Sequence, residues 1–246
     1  DTALDSVGRS IGQAEGFHRA LLAYLEDCVT DADCPLGTTV NGGIKTLSDF
    51  LDSLDQRPME LRNGRMLTET HGLFGVAVAL YSEDTWSLLS SALGDALDGN
   101  PTMLMNLADV YFERNSDGTF ANNSGQVITA INCLDSPGGL SPAEVEEIIP
   151  EFTKVSPVFG RFLAWGTFGC THWPLESDTP QQKTVAAGAP EILVVGTTRD
   201  PATPYEWSQA LADHLESGVL LSREGDGHTA FLMGNSCIED AVERFY

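Results

Sequence analysis

Three short stretches hold residue types that together do chemistry. "RDPATP" carries Asp200, "GDGH" carries His228, and "VGRSIGQ" carries Ser10 in a G-x-S-x-G spacing. An aspartate bonded to one ring nitrogen of a histidine fixes its tautomer and stabilises the imidazolium, and the other nitrogen can then take the proton of a serine hydroxyl. A serine activated in this way attacks acyl carbons. G-x-S-x-G is the spacing that presents such a serine on a sharp strand-to-helix turn. The question is which of the three residues belong to one site.

The elements around Asp200 and His228 answer for two of them. After Pro190-Glu191, "ILVVG" is a continuous apolar run rich in β-branched residues, as in a strand covered on both faces. "TTRDPATP" follows as a loop. "YEWSQALADHL" then reads as a helix with Tyr205, Ala210, Leu211 and Leu215 inward. "GVLLS" reads as a second strand, "REGDGH" as a loop, and the stretch from Ile238 to Tyr246 as a helix. A strand–helix–strand unit crosses over right-handedly onto a parallel sheet. Asp200 and His228, 28 residues apart, therefore fall at one sheet edge on neighbouring strands, where loops at the carboxyl ends carry function. The acid precedes the base, as in the serine hydrolases whose chain order is Ser, Asp, His. Gly225 and Gly227 suit a tight turn presenting the imidazole, and Pro201 and Pro204 stiffen the acid loop. Two strands do not make a stable parallel sheet alone, so the remaining strands are expected outside this sequence.

Upstream the pattern is helical. Phe17, Ala20, Leu21, Tyr24 and Leu25 recur at three and four spacing, and the stretches 44–54, 86–97 and 102–114 repeat it. "LTETHGLFGVAVALYS" reads as a buried helix, and Gln126 to Cys133 as helical or extended. In "SPAEVEEIIPEF", Ser141 is placed as an N-cap, with Pro142 at the first helical position and Glu144 completing a capping box. No clear strand alternation is read before "ESDTPQQK". Ser10 fits this region poorly as a nucleophile. "DTALDSV" in front of it has two acidic residues and no strand-like run, and seven residues leave no room for neighbouring strands.

Composition narrows the partners. Thirteen Lys and Arg face 36 Asp and Glu, for a formal net charge of -23. Such a surface repels phosphate backbones and anionic lipid, which disfavours nucleic acid, and it favours a cationic partner such as a peptide amino terminus. No apolar run reaches the roughly 18 residues of a membrane span. Five cysteines, without a Cys-x-x-Cys pair or nearby histidines at ligand spacing, argue against zinc, and no other metal or cofactor is called for. Pairing of Cys28 with Cys34 and of Cys133 with Cys170 suits an exported protein; five reduced thiols suit a cytosolic one.

"PEILVVGTTRDPATPYEWSQALADHLESGVLLSREGDGHTAF" closely resembles the C-terminal segment of the tripeptidyl aminopeptidase-like serine peptidases of the α/β-hydrolase superfamily. "QAEGFHRALLAYLEDC", "DCPL", "ALYSEDTW", "LADVYFERNSDGTF", "AINCLD" and "GCTHWP" resemble the helical lid of that family. The resemblance implies an α/β fold, an α/β-hydrolase fragment with a large lid over 1–185 followed by the last strands and helices of the core over 186–246. It implies Asp200 as triad acid, His228 as triad base and Thr203 as a supporting residue of the acid loop. Trp173 is a candidate for the cleft wall, and His172 for the lid's inner face. It further implies the disulfides Cys28–Cys34 and Cys133–Cys170, with Cys237 pairing beyond Tyr246. Ser10 becomes the N-cap of the first lid helix, and the true serine is expected upstream of Asp1. The expected function is that of a secreted or envelope-associated serine aminopeptidase, inactive as this chain alone and completed by an N-terminal half. The alternatives are an esterase or proline iminopeptidase of the same fold, or a non-catalytic helical binding module.

Overall fold

The computed structural model describes residues 4–136, 138–175 and 185–246. The first helix, α1 (Ser6–Cys28), opens four residues before Ser10, because the Asp5 carboxylate accepts the Gly8 N–H at 2.7 Å and caps it. Ser10 therefore sits inside the helix and is not its N-cap. The expected strand–turn–helix setting of a nucleophile is absent around it: residues 6–28 are continuous helix.

The buried face of α1 supplies Phe17, Leu21, Tyr24 and Leu25 to the main core. Around it pack α2 (Val40–Gln56), α3 (Glu69–Ala79), α4 (Trp86–Leu97) and α5 (Thr102–Tyr111). One feature the apolar periodicity does not announce lies between α2 and α3. Asn63-Gly64, with Gly64 at φ 78°, turns a short antiparallel hairpin of β1 (Met59–Glu60) and β2 (Met66–Leu67). With only two residues per strand there is no alternation to read.

Beyond the core lie α6 (Ser124–Asp135), α7 (Pro142–Val155) and α8 (Gly160–Gly166). α7 begins with the capping box of Ser141 and Glu144 and with Pro142 in its first turn. It forms with α1 and α8 a second small core of Ala14, Val145, Phe152 and Ala164. α6 buries only Cys133, and the Cys133–Cys170 disulfide ties it to the turn after α8. The second disulfide, Cys28–Cys34, closes the end of α1. The composition break at "ESDTPQQK" falls outside the described residues.

The C-terminal part is β3 (Ile192–Arg199), α9 (Tyr205–His214), β4 (Gly218–Asp226) and α10 (Ser236–Phe245). β3 and β4 are parallel, in register from Ile192↔Gly218 to Gly196↔Ser222. Two details depart from the sequence reading. β4 runs on through "REGD" rather than stopping after "GVLLS", because the ladder continues past an irregularity to Arg199↔Asp226, where the two side chains pair. Leu211 is not inward but 49% exposed. α9 meets the sheet through Tyr205 and Ser208, which lie against Gly196, and buries Ala212, which leaves Leu211 on the helix flank. Ile238 and Val242 of α10 pack on Leu193, Val195 and Leu221.

α1 and the acid loop are in direct contact. A Cβ on Gly16 would lie 2.7 Å from the Pro201 carbonyl oxygen and 3.1 Å from that of Asp200. One turn earlier, Gln13 donates to the Ala202 carbonyl at 2.9 Å, and one turn later Arg19 forks onto Glu206 at 2.6 and 3.0 Å. The exposed ion pair contributes about 0.2–1 kcal/mol at most; the close approach at Gly16 is what sets the distance between helix and loop. Gly16→Val should therefore cost about 1–3 kcal/mol in urea unfolding of the full protein. Gly125→Ala in α6, where a Cβ meets nothing within 4 Å, is the control and should be neutral or stabilising. Equal stability of the two variants would contradict the contact.

Candidate active site

Asp200 closes the end of β3 and is 3% exposed. Burial opposes its charge, yet the loop brings donors to both oxygens. The amides of Ala202 and Thr203 donate to Oδ1 at 2.9 and 2.8 Å, and the Thr203 hydroxyl donates to Oδ2 at 3.0 Å. From the loop after β4, His228 Nδ1 lies 3.0 Å from each carboxylate oxygen and the Thr229 amide donates to Oδ2 at 3.1 Å. Burial pushes the carboxyl up; the bond from His228 and the amides of Thr203 and Thr229 outweigh it and hold it below its ordinary range. An ionised partner at Nδ1 selects the tautomer with the proton there, so Nε2 carries the lone pair. No described residue bonds Nε2.

The base loop is fixed on three sides. Asp226, 6% exposed, forks onto Arg199 of β3, with one of the two contacts at 2.6 Å. Arg223 donates to the Asp226 carbonyl at 2.8 Å. Gly227, at φ 103°, brings the backbone against the end of α3, where a Cβ would lie 2.7 Å from the Tyr81 carbonyl oxygen. That same oxygen accepts the His228 N–H at 2.9 Å, and the Tyr81 ring lies against the imidazole with centroids 5.0 Å apart. Thr229 then adopts φ 68°, a rare backbone for a β-branched residue. It is held there from both ends: its amide donates to Asp200, and its carbonyl accepts from Thr197 Oγ1 at 2.7 Å.

The structure thus brings Asp200, His228 and Thr203 together. Trp173 is half-buried in the turn after α8, and its indole N–H has no hydrogen-bond partner among the described residues. His172 is exposed, beside Phe168. Cys237 is an exposed free thiol at the start of α10. Ser10 makes no hydrogen bond with the pair. Among the described residues no cluster of three or more metal-ligating side chains occurs, and no helix is long and apolar enough to cross a membrane.

Sequence reasoning passed over several residues that hold the site. Tyr81 supplies a carbonyl and a ring to the His228 loop, Thr229 an amide to the acid, and Gln13 and Gly16 a seat for the acid loop. The Asp226–Arg199 pair carried no signal either, because the apolar runs end at Gly196 and Ser222 and leave both residues in what reads as loop.

Residues 156–246 match the family model described as "TAP-like protein", of the α/β-hydrolase class. This stretch is a TAP-like α/β-hydrolase segment. The whole chain is also similar to curated proteins. It is 32% identical over 255 residues to the serine protease Hip1 of Mycobacterium tuberculosis, covering all of this chain and 49% of that protein. It is 32% identical over 254 residues to carboxylesterase B of the same organism, covering 48% of that one. With the tripeptidyl aminopeptidase of Streptomyces lividans it shares 24% identity over 168 residues, 68% of this chain and 31% of that protein. The chain thus spans about half the length of the first two relatives.

The pH dependence of the acid follows from its lowered pKa. A carboxylate whose folded pKa lies below its unfolded value stabilises the fold above the unfolded value and loses that contribution as pH falls through the folded one. Wild type should therefore exceed Asp200→Asn in melting temperature at neutral pH, and the gap should close on acidification below pH 3.8, the ordinary value. A gap that stays constant down to pH 2 would contradict an ionised Asp200.

Proposed function

We propose that this chain is the lid and C-terminal core segment of an exported serine hydrolase of peptidase type, with the lid over 1–185 and the core segment over 186–246. Asp200 is its triad acid, His228 its base and Thr203 a support of the acid. The observation that carries the reading is the buried, fully bonded Asp200 oriented on His228 Nδ1, at the carboxyl ends of adjacent parallel strands, with Nε2 left free. The similarity to a serine protease and a tripeptidyl aminopeptidase supports it. The nucleophilic serine comes from a preceding part of the same protein, as a strand–G-x-S-x-G–helix turn.

In this reading Nε2 accepts the serine proton as the hydroxyl oxygen attacks the substrate carbonyl, and Asp200 stabilises the imidazolium without taking the proton. Nε2–H then protonates the departing amine, leaving an acyl-enzyme. Water, deprotonated by the same nitrogen, releases the acid and returns the serine. The substrate is a peptide with a free amino terminus, drawn to a strongly acidic protein. Two disulfides fit a protein that works outside the cytoplasm, secreted or at the cell envelope.

A second reading, ester hydrolysis at the same site, is favoured by equal identity to a carboxylesterase. One assay separates them. The full-length protein should cleave peptide-aminomethylcoumarins with free amino termini faster than blocked ones and faster than simple esters. Cleavage of esters alone selects the second reading, and equal cleavage of free and blocked peptides removes the aminopeptidase assignment. His228→Ala should lower kcat by about four orders of magnitude on whichever substrate is turned over; near-normal turnover would refute its role.

A further inference from the structure

Beside the Tyr81 ring the helices line a partly open cavity of about 170 Å³. Its walls are mainly rings: Phe17 of α1, Phe74 of α3, Tyr81, Tyr111 of α5, and Phe159 and Phe162 at α8. The rings brace one another, with Phe74 4.2 Å from Tyr111 and 5.3 Å from Phe162, and Phe17 5.1 Å from Phe159. No charged side chain lines the space. The amide nitrogen of Gln13, on the cavity wall, is already engaged with the Ala202 carbonyl. Burial raises the pKa of both tyrosines, so the hydroxyls stay neutral.

Tyr81 is the shared wall. One side of it faces this cavity, and its ring lies against the His228 imidazole at 5.0 Å. His228 itself does not line the cavity, and Tyr81 is the residue that touches both. The walls offer no counter-charge, so an ion placed among them would lose its hydration without an opposite charge to replace it. The size admits one modest group, since an apolar cavity of roughly 150 Å³ holds a benzene molecule. A drug-sized ligand needs about 300 Å³ or more.

We propose that this cavity is a substrate subsite beside the catalytic pair, and that it takes one neutral apolar group of about six carbons. That group is either the side chain of a leucine- or phenylalanine-like residue near the scissile bond or the acyl chain of an ester. The proposal rests on the hydrolase reading for its link to turnover, but not for the cavity's own affinity.

The test uses the full-length protein with three variants: wild type, Ala77→Leu and Leu163→Phe, both substitutions adding volume to the cavity lining. p-Nitrophenyl esters of two to ten carbons are compared with aminomethylcoumarin tripeptides carrying Leu, Phe, Ala, Lys or Asp at each of the two residues before the scissile bond. In wild type, kcat/KM should rise about fourfold per added methylene up to about six carbons and then level off. At one of the two peptide positions Leu and Phe should exceed Lys and Asp at least tenfold. The filled variants should lose that size preference by tenfold or more while keeping hydrolysis of the acetyl ester or the Ala peptide. A size effect in the peptides alone marks a side-chain subsite, and one in the esters alone an acyl subsite. A flat size profile, full acceptance of Lys or Asp at both positions, or an unchanged profile in folded filled variants would overturn the proposal. If neither variant folds, the wild-type profile decides. If nothing is hydrolysed, the hydrolase reading falls, and toluene then tests the cavity by itself. It should raise the melting temperature of wild type and not of Ala77→Leu, and an equal response or none overturns the subsite.

Discussion

A carboxylate that is almost wholly buried is expensive unless donors surround it, and Asp200 is such a carboxylate. Its two oxygens draw donors from two loops: Ala202 and Thr203 from its own, and His228 and Thr229 from the loop after β4. The acid thereby joins the ends of β3 and β4, together with the Arg199–Asp226 pair and the Thr197–Thr229 bond. The rare backbone at Thr229 and the turn at Gly227 are the local costs of bringing those donors in. An amide in that position can donate to Nδ1 and hold the proton on Nε2, the tautomer in which the second nitrogen cannot accept a proton.

The lid is bound into the same arrangement. α1 meets the acid loop at Gly16, and Gln13 holds the Ala202 carbonyl. The end of α3 meets the base loop, where the Tyr81 carbonyl holds the His228 amide. The loops that carry Asp200 and His228 are thus seated on different helices. The aromatic cavity is lined by the same tyrosine whose ring lies against the His228 imidazole.

Much of this was legible in the residues. The apolar runs, the crossover helix and the acid-then-base spacing placed Asp200 and His228 at one edge before any coordinates, because strand periodicity and handedness are local rules. Thr203 was legible as part of a Pro-rich acid loop. What was not legible depends on tertiary approach. Ser10 reads as a cap only if the helix starts there, and the Asp5 carboxylate starts it earlier. Leu211 reads as inward by spacing, but α9 meets Gly196 through Tyr205 and Ser208 and buries Ala212, which leaves Leu211 on the flank. β4 reads as ending early because Arg223 and Asp226 look like loop residues, until the Arg199 pair extends the ladder. Tyr81 carries no motif at all; its carbonyl matters because Gly227 lets the backbone come close.

The central claim is that His228, held by Asp200, activates a serine that lies outside residues 1–246. It is tested most directly by labelling the full-length protein with diisopropyl fluorophosphate and mapping the adduct by mass spectrometry. The account predicts a single adduct on a serine preceding this chain, within a G-x-S-x-G turn, and a labelling rate that falls by orders of magnitude in His228→Gln. An adduct on Ser10, or an unchanged rate in His228→Gln, would contradict it.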